Sequence, residues 1–337
     1  MAHTFFIALT AILSVLCVIG FAILMRRTGR IGPEVDKPVF RLVMDLLFPC
    51  LIFDKIIKTD AFAEVQNLWL PPLIGFAMTA VALLIGFAVS RLPSSKTGLT
   101  TAKQKRTFAA CVSLINYGYV PIPLAAALFP NDNRTMGVLF PMYLGAEISV
   151  WTLVIFTMLG KIDSKSWKHL INGPILAIIL TVPLNLLINA SFFPSSFFVH
   201  CKPGIEFFLA AVHQLGQAAI PVSLLMVGFT ISELIHFEEI KSRLKTSAKT
   251  AFWSCIVRLL IMSALVITAA VFLPCTLEIK RIMVIYGAMG AAILPIVLSK
   301  HYNGNPQTAF DTVVSSMLLS VIVLPFWIAT GLKLINS

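Results

Sequence analysis

Ten apolar segments alternate with short polar connections along the chain, near residues 4–25, 38–58, 68–90, 106–129, 135–159, 172–192, 205–231, 248–273, 281–299 and 308–331. A membrane span needs about 20 apolar residues at 1.5 Å rise each. The pattern therefore predicts an all-α polytopic membrane protein of ten transmembrane helices, which uses nearly all of the 337 residues. The first segment has no basic lead-in and no small-residue cleavage site, and is read as a retained first helix. The fourth carries Asn116-Tyr117-Gly118-Tyr119-Val120-Pro121-Ile122-Pro123 in its middle. Two prolines and a glycine do not fit one continuous helix, because proline lacks its N–H and its ring meets the preceding turn. A break is predicted there. In hydrocarbon a break persists only where protein or a water-filled cavity satisfies the freed backbone, which makes it a pointer to a binding site.

A sequence offset carries the pattern further. Pro49 and Pro123 are 74 residues apart, as are Pro221 and Pro295, and one offset of 172 superimposes the pairs. The same offset lays Gly118 on Gly290 and the fifth span on the tenth. Two units of five spans, 1–160 and 161–337, joined through Lys161 to Leu170, must insert in opposite senses because five is odd. The prediction is an inverted repeat whose broken spans 4 and 9 cross near the bilayer centre, with Pro123 and not Pro121 as the repeat-related break. Half-helix N-termini at such a crossing favour an anion. Pro71 and Pro72 are taken to open span 3 as first-turn prolines.

Composition agrees: 58% of residues are hydrophobic, 12% are charged, and the mean hydropathy is +0.90. The net charge of +11 is spread over the loops, so nucleic acid is not an expected partner. The connections after spans 1, 3, 5, 7 and 9, with adjoining helix ends, hold 18 Lys and Arg; the other connections and the C-terminus hold 7. The positive-inside rule puts the richer set in the cytoplasm and both termini outside. Short loops point to a prokaryotic inner membrane, while the sequons Asn133-Arg134-Thr135 and Asn189-Ala190-Ser191 keep a eukaryotic origin open. Cys201 and Cys275 fall in connections placed outside; two unrelated free thiols are the expectation, a disulfide the alternative. No P-loop, zinc or dinucleotide motif occurs. Glu238-Glu239-Ile240-Lys241-Ser242-Arg243 matches a protease-like E-E-x-x-x-R pattern, but in a cytoplasmic loop without companion histidines it reads as a solvated helix end. No enzyme, cofactor or metal site is expected.

A few residues remain for chemistry. Asn116 offers donors and an acceptor, either to a substrate or to backbone freed by the prolines. Glu147, in Gly145-Ala146-Glu147-Ile148-Ser149, lies about 20 Å along span 5 from its outer end. It is a candidate for coupling to a proton or cation, with a structural hydrogen bond as the alternative. Arg258 is expected to snorkel toward headgroups, its alternatives being a pair with Glu147 or neutralisation of an anion. Asp311 opens span 10. Asp45 and Asp54, near the ends of span 2, are read as solvated. His213 is read as interfacial.

The stretch from Asn116 to Leu124 resembles the N-x-G-x-x-G-x-P-L signature of the auxin efflux carrier family of membrane transport proteins. Phe48-Pro49-Cys50-Leu51-Ile52-Phe53 and the run from Met289 to Ser299 are similar to other segments of that family. The resemblance implies a ten-span fold like that of sodium/proton antiporters and bile-acid symporters. It also implies a scaffold of spans 1, 2, 6 and 7, beside a transport domain of spans 3–5 and 8–10. Members move small organic anions, auxin or dicarboxylates such as malate and malonate, and several are homodimers. By that analogy Asn116 and Pro123 are the matching site positions; with the offset-related glycines and proline, Asn116, Gly118, Pro123, Gly290 and Pro295 form the expected substrate site, with Glu147, Arg258 and Asp311 as coupling or charge-pair candidates and a proton or sodium as the coupling ion. Two alternatives stay beside it: a sodium-coupled symporter like the bile-acid carriers, and a receptor of the same fold that binds without flux. Pro121 stands where the family has a glycine. Ala288 and Leu294 stand where relatives often place a second Asn, so a symmetric two-Asn clamp is not expected.

Overall fold

The computed structural model describes residues 2–160, 172–189, 195–234 and 247–336. Within them every predicted apolar segment is helical apart from openings in the fourth and ninth, as hydrocarbon requires of a backbone with no water to bond. In chain order the helices are α1 (Ala2–Arg27), α2 (Asp36–Leu42) running through a π turn (Val43–Leu47) into α3 (Phe48–Ile57), α4 (Gln66–Ser90), the short α5 (Ser94–Thr97), α6 (Ala102–Ser113) and α7 (Pro121–Leu128). Then come α8 (Asn133–Ser149), a second π turn (Val150–Val154), α9 (Ile155–Leu159), α10 (Gly173–Asn189) and α11 (Ser195–Leu234). The chain closes with α12 (Ala248–Cys255), a third π turn (Ile256–Ile261), α13 (Met262–Phe272), α14 (Leu277–Ala288), α15 (Leu294–His301) and α16 (Pro306–Ile335). Among the described residues, five helical stretches are long and apolar enough to cross a membrane: Gln66–Ser90, Asn133–Leu159, Glu206–Glu233, Ala248–Phe272 and Pro306–Ile335. These make the chain an integral membrane protein.

Three boundaries depart from the sequence expectation. Helix α4 starts at Gln66, so Pro71 and Pro72 lie in its second turn and not its first. At that turn α8 meets α4 with a glycine. A Cβ on Gly145 would stand 1.8 Å from the Pro72 carbonyl oxygen, and one on Gly75 would stand 2.2 Å from that of Met142. The two backbones touch, as small-residue helix interfaces in membranes allow. Helix α11 begins at Ser195, so Cys201 sits within a helix and not in a connection. Cys275 is a free thiol. The π turn at Val43–Leu47 directly precedes Pro49, where a regular turn would drive the ring into a carbonyl. The joining stretch Lys161 to Leu170 and the Glu238 to Arg243 motif lie outside the described residues.

Packing sorts the helices. Helix α1 lies against α11, and α3 against α10 and α11; α4 lies against α6 and α8; α12 and α14 lie against α16, and α13 against α14. Of the broken helices, α6 lies against α4 and α16, α7 against α1 and α8, and α14 against α8, α13 and α16. Their open segments run antiparallel and form a single bridge, Ile115 to Ala291, the only β pairing among the described residues. The Asn116 N–H donates to the Gly290 carbonyl at 3.2 Å and the Ala292 N–H to that of Leu114 at 2.9 Å. Each break thus supplies part of what the other lacks.

Candidate functional site

Both breaks fall where the pattern placed them, and their details follow from proline chemistry. Proline suits the first turn of a helix, where no N–H is needed. Pro121 is accordingly the first residue of α7 and Pro123 the third, while Pro295 is the second residue of α15. The chain opens before the prolines, over 114–120 and 289–293. Between the two breaks the helix ends correspond at 175 residues on the entering side (Ser113 to Ala288) and 173 on the leaving side (Pro121 to Leu294), the second opening being shorter. By helix position Pro121, rather than Pro123, is the residue that starts the second half-helix.

Two cavities flank the crossing. The larger, about 500 Å³, is walled by Met44, Asp45 and Phe48, by Ile115 to Tyr119, by Tyr143, Glu147 and Trp151, by Asn172, by Met226 and Thr230 of α11, and by Ala292 to Leu294. The smaller, about 280 Å³, lies toward α1 and α16 and is almost wholly apolar, with Gly290 and Ser320 on its wall. Asn116, Val227 and Ile293 border both. No Lys, Arg or His lines either cavity among the described residues.

Asn116 works in two directions. Its side-chain oxygen accepts the Val120 N–H at 3.4 Å, a long bond just ahead of α7. Its amide nitrogen has no protein acceptor among the described residues, and the residue borders both cavities. The backbone of α7 offers a ligand little: Pro121 and Pro123 carry no N–H, and those of Ile122 and Leu124 already bond to Gly118 and Val120. At this half-helix end the free polar group beside the cavities is on the Asn116 side chain and not on the α7 backbone.

Glu147 is 5% exposed and faces the large cavity. The Tyr117 hydroxyl donates to it at 2.6 Å, the Trp151 indole N–H at 2.9 Å and the Asn172 amide at 3.2 Å. Tyr143 packs edge-on against Tyr117, with ring centroids 5.2 Å apart. Asn172 also accepts the Ile175 N–H at 3.0 Å, capping α10. One carboxyl thus joins the first break, the π turn after α8 and the start of α10. Sequence reasoning singled out Glu147 without its cage. Trp151, one helical turn on, was legible from the i to i+4 spacing; Tyr117 and Asn172 come from elsewhere in the fold.

Arg258 neither snorkels nor pairs with Glu147. It is 1% exposed, and its guanidinium donates to the Met289 carbonyl (Nε, 2.9 Å) and the Tyr286 carbonyl (Nη2, 3.2 Å), capping the C-terminal end of α14. The half-helix end offers partial negative charge nearer than any headgroup. Asp54 is also corrected. It is 2% exposed, bonded to Lys58 and, at 2.9 Å, to His213. Asp45 is exposed at the edge of the large cavity. Asp311 accepts from Gln307 at 2.9 Å and, like Pro123 and Pro295, lines neither cavity. The structure therefore brings Asn116, Gly118 and Glu147 together on one wall, sets Gly290 on the other face of the crossing, and holds Arg258 behind it.

At the far end from Asp45, Arg134 reaches Glu278 (2.6 Å), Glu64 (2.7 Å) and Asp60 (3.1 Å), and Arg281 reaches Asp132 (2.7 Å). Thr135, the third residue of the first sequon, is buried and bonded to Asp132.

Comparison with known proteins fits this architecture. An uncharacterized transporter of Methanothermobacter thermautotrophicus is 23% identical over 323 residues, 94% of this chain and 96% of its own length. An uncharacterized transporter of Saccharomyces cerevisiae is 24% identical over 184 residues, half of this chain, and the match spans 39% of the yeast protein. The sequence profile of a family described as membrane transport protein matches residues 7–166 and 161–328. With the match running through both broken helices, the chain belongs to the membrane transport protein family, that of the auxin efflux carriers.

Proposed function

We propose that this protein is a secondary carrier that moves a small organic acid anion across a membrane by alternating access, with the crossing of α6–α7 and α14–α15 as its site. The observation that carries the proposal is the unspent Asn116 amide at the bridge between two broken helices, bordering an aromatic-walled cavity of about 500 Å³. That volume suits a small ligand. The wall also narrows the substrate. Two buried negative charges demand compensation that no described lining residue offers. A monocarboxylate with an apolar or aromatic body fits better than malate or malonate.

The ten-helix inverted repeat belongs to the same proposal, supported by the matched breaks and their antiparallel bridge. So does a scaffold of α1–α3, α10 and α11 facing a transport domain of the remaining helices, supported by the packing groups. With both termini outside, as the Lys and Arg count requires, the large cavity faces the cytoplasm and the Arg134 network closes the outer end. Glu147, on the cavity wall, is the carrier of a coupling proton. The scaffold would supply a homodimer contact, in a prokaryotic inner membrane. Flux of labelled indole-3-acetate, malate and malonate into proteoliposomes, with and without proton and sodium gradients, tests the proposal. Indole-3-acetate uptake driven by a proton gradient is expected. Binding without flux would favour a receptor, and preference for the dicarboxylates would overturn the substrate assignment.

A further inference from the structure

The two breaks end their entering half-helices differently. At the first, the Leu114 carbonyl accepts the Ala292 N–H, and among the described residues no cationic side chain bonds to this end. At the second, three carbonyls of the last turn accept side chains: Tyr286 and Met289 from Arg258, and Gly287 from the Ser263 hydroxyl at 2.8 Å, with the Met289 N–H also bonded to the Tyr286 carbonyl. Arg258 has no carboxylate partner among the described residues, so a full positive charge rests in the core against carbonyl oxygens alone. Its position is built in: it lies within the π turn Ile256–Ile261, and Ser263 also donates to the Arg258 carbonyl at 3.3 Å. In carriers with discontinuous helices, unwound carbonyls and half-helix C-terminal ends are where a coupling cation is coordinated. Here that set of oxygens is already occupied by a cation of the protein itself.

We infer that Arg258 is a resident cation that takes the place of a coupling sodium at the second break and makes the carrier sodium-independent. The inference rests on the alternating-access proposal and deepens it by fixing which ion does not take part. Arginine keeps its charge through the physiological range, and its planar fork reaches two carbonyls at once, so the site is filled in every cycle. The charge also stands one residue from Gly290, whose carbonyl holds the Asn116 N–H. It therefore supports the crossing on the side away from the cavity and acts as a positioning residue.

The test uses the full chain in detergent, melted in sodium, choline or guanidinium chloride at equal low ionic strength. The wild type is expected to melt at the same temperature in sodium and choline. Arg258→Ala is expected to be less stable in choline and to recover about 2–4 °C in sodium or guanidinium, because a vacated cation site stabilises by binding. Specific stabilisation of the wild type by sodium overturns the inference, as does a folded Arg258→Ala that responds to neither cation. If that variant does not fold, wild-type uptake of indole-3-acetate with N-methyl-D-glucamine replacing sodium decides. Rates within about twofold support the inference, and a tenfold loss overturns it. Absence of uptake in every buffer would count against the substrate proposal alone and leave the melting result standing.

Discussion

The first and second breaks face one physical problem, how to end two half-helices inside hydrocarbon, and solve it with different residues. The first spans 114–120 and is aromatic, and its polar side chain, Asn116, sits on the cavity wall. The second spans 289–293, is built of small and aliphatic residues, and takes its polar support from Arg258 and Ser263 on the opposite side. On the proposed function, recognition and support are thereby separated. The first break shows its polarity to the cavity; the second hides its own and leaves an apolar wall.

That contrast can be broken most forcefully at Arg258. Arg258→Ala strips the buried Met289 carbonyl of its donor, at roughly 1–3 kcal/mol, and leaves that of Tyr286 with the Met289 N–H alone, so the largest loss of melting temperature is expected there. The charge-swapped Glu147→Arg, Arg258→Glu double variant is expected to rescue neither single variant, since the two side chains do not meet; restored uptake would join the two breaks electrostatically after all. Glu147→Gln comes next. It keeps the shape but places an amide among three donors, and uptake is expected to fall about a hundredfold with its pH dependence flattened, the lower end of what one lost proton-transfer group costs. An unchanged pH profile would reduce Glu147 to a structural anchor.

Asn116→Ala is expected to raise the KM for indole-3-acetate about tenfold, near 1.4 kcal/mol, and to cost the fold only the price of a weak helix cap. Equal KM in variant and wild type would move recognition to the second break. The smallest effect separates the paired glycines. A Cβ at Gly290 meets the Ser320 side chain at 3.0 Å and the Ser316 carbonyl at 3.1 Å, whereas one at Gly118 meets only the Tyr143 ring edge at 3.1 Å. Gly290→Ala is therefore expected to lower the melting temperature more than Gly118→Ala, because a tilting ring yields where a backbone carbonyl does not. The reverse order would mean that the first break is the more tightly packed.

Much of this was legible in one dimension. The apolar segments, the two breaks and the placement of Asn116 at a break and Glu147 within a span follow from local rules: hydropathy length, proline geometry and the cost of polar groups in lipid. The misses share a cause. Asp54 reads as a solvated helix end until Lys58 and, from α11, His213 close over it. Arg258 reads as a snorkelling cation until a half-helix 28 residues further on presents its carbonyls. The π turns at Val43–Leu47, Val150–Val154 and Ile256–Ile261, which set the register of Asp45, Trp151 and Arg258, leave no mark in the periodicity beyond Pro49.

What the sequence by itself determined is where the backbone must be helical and where it must open, because both depend on residues adjacent in the chain. Only the tertiary structure decided which partner answers each opened group: a neighbouring strand of backbone for Leu114 and Gly290, a distant guanidinium for Tyr286 and Met289, an aromatic cage for Glu147. Hydrogen-bond satisfaction in a dry interior is compulsory, but the donor arrives from whatever element packing brings within about 3 Å.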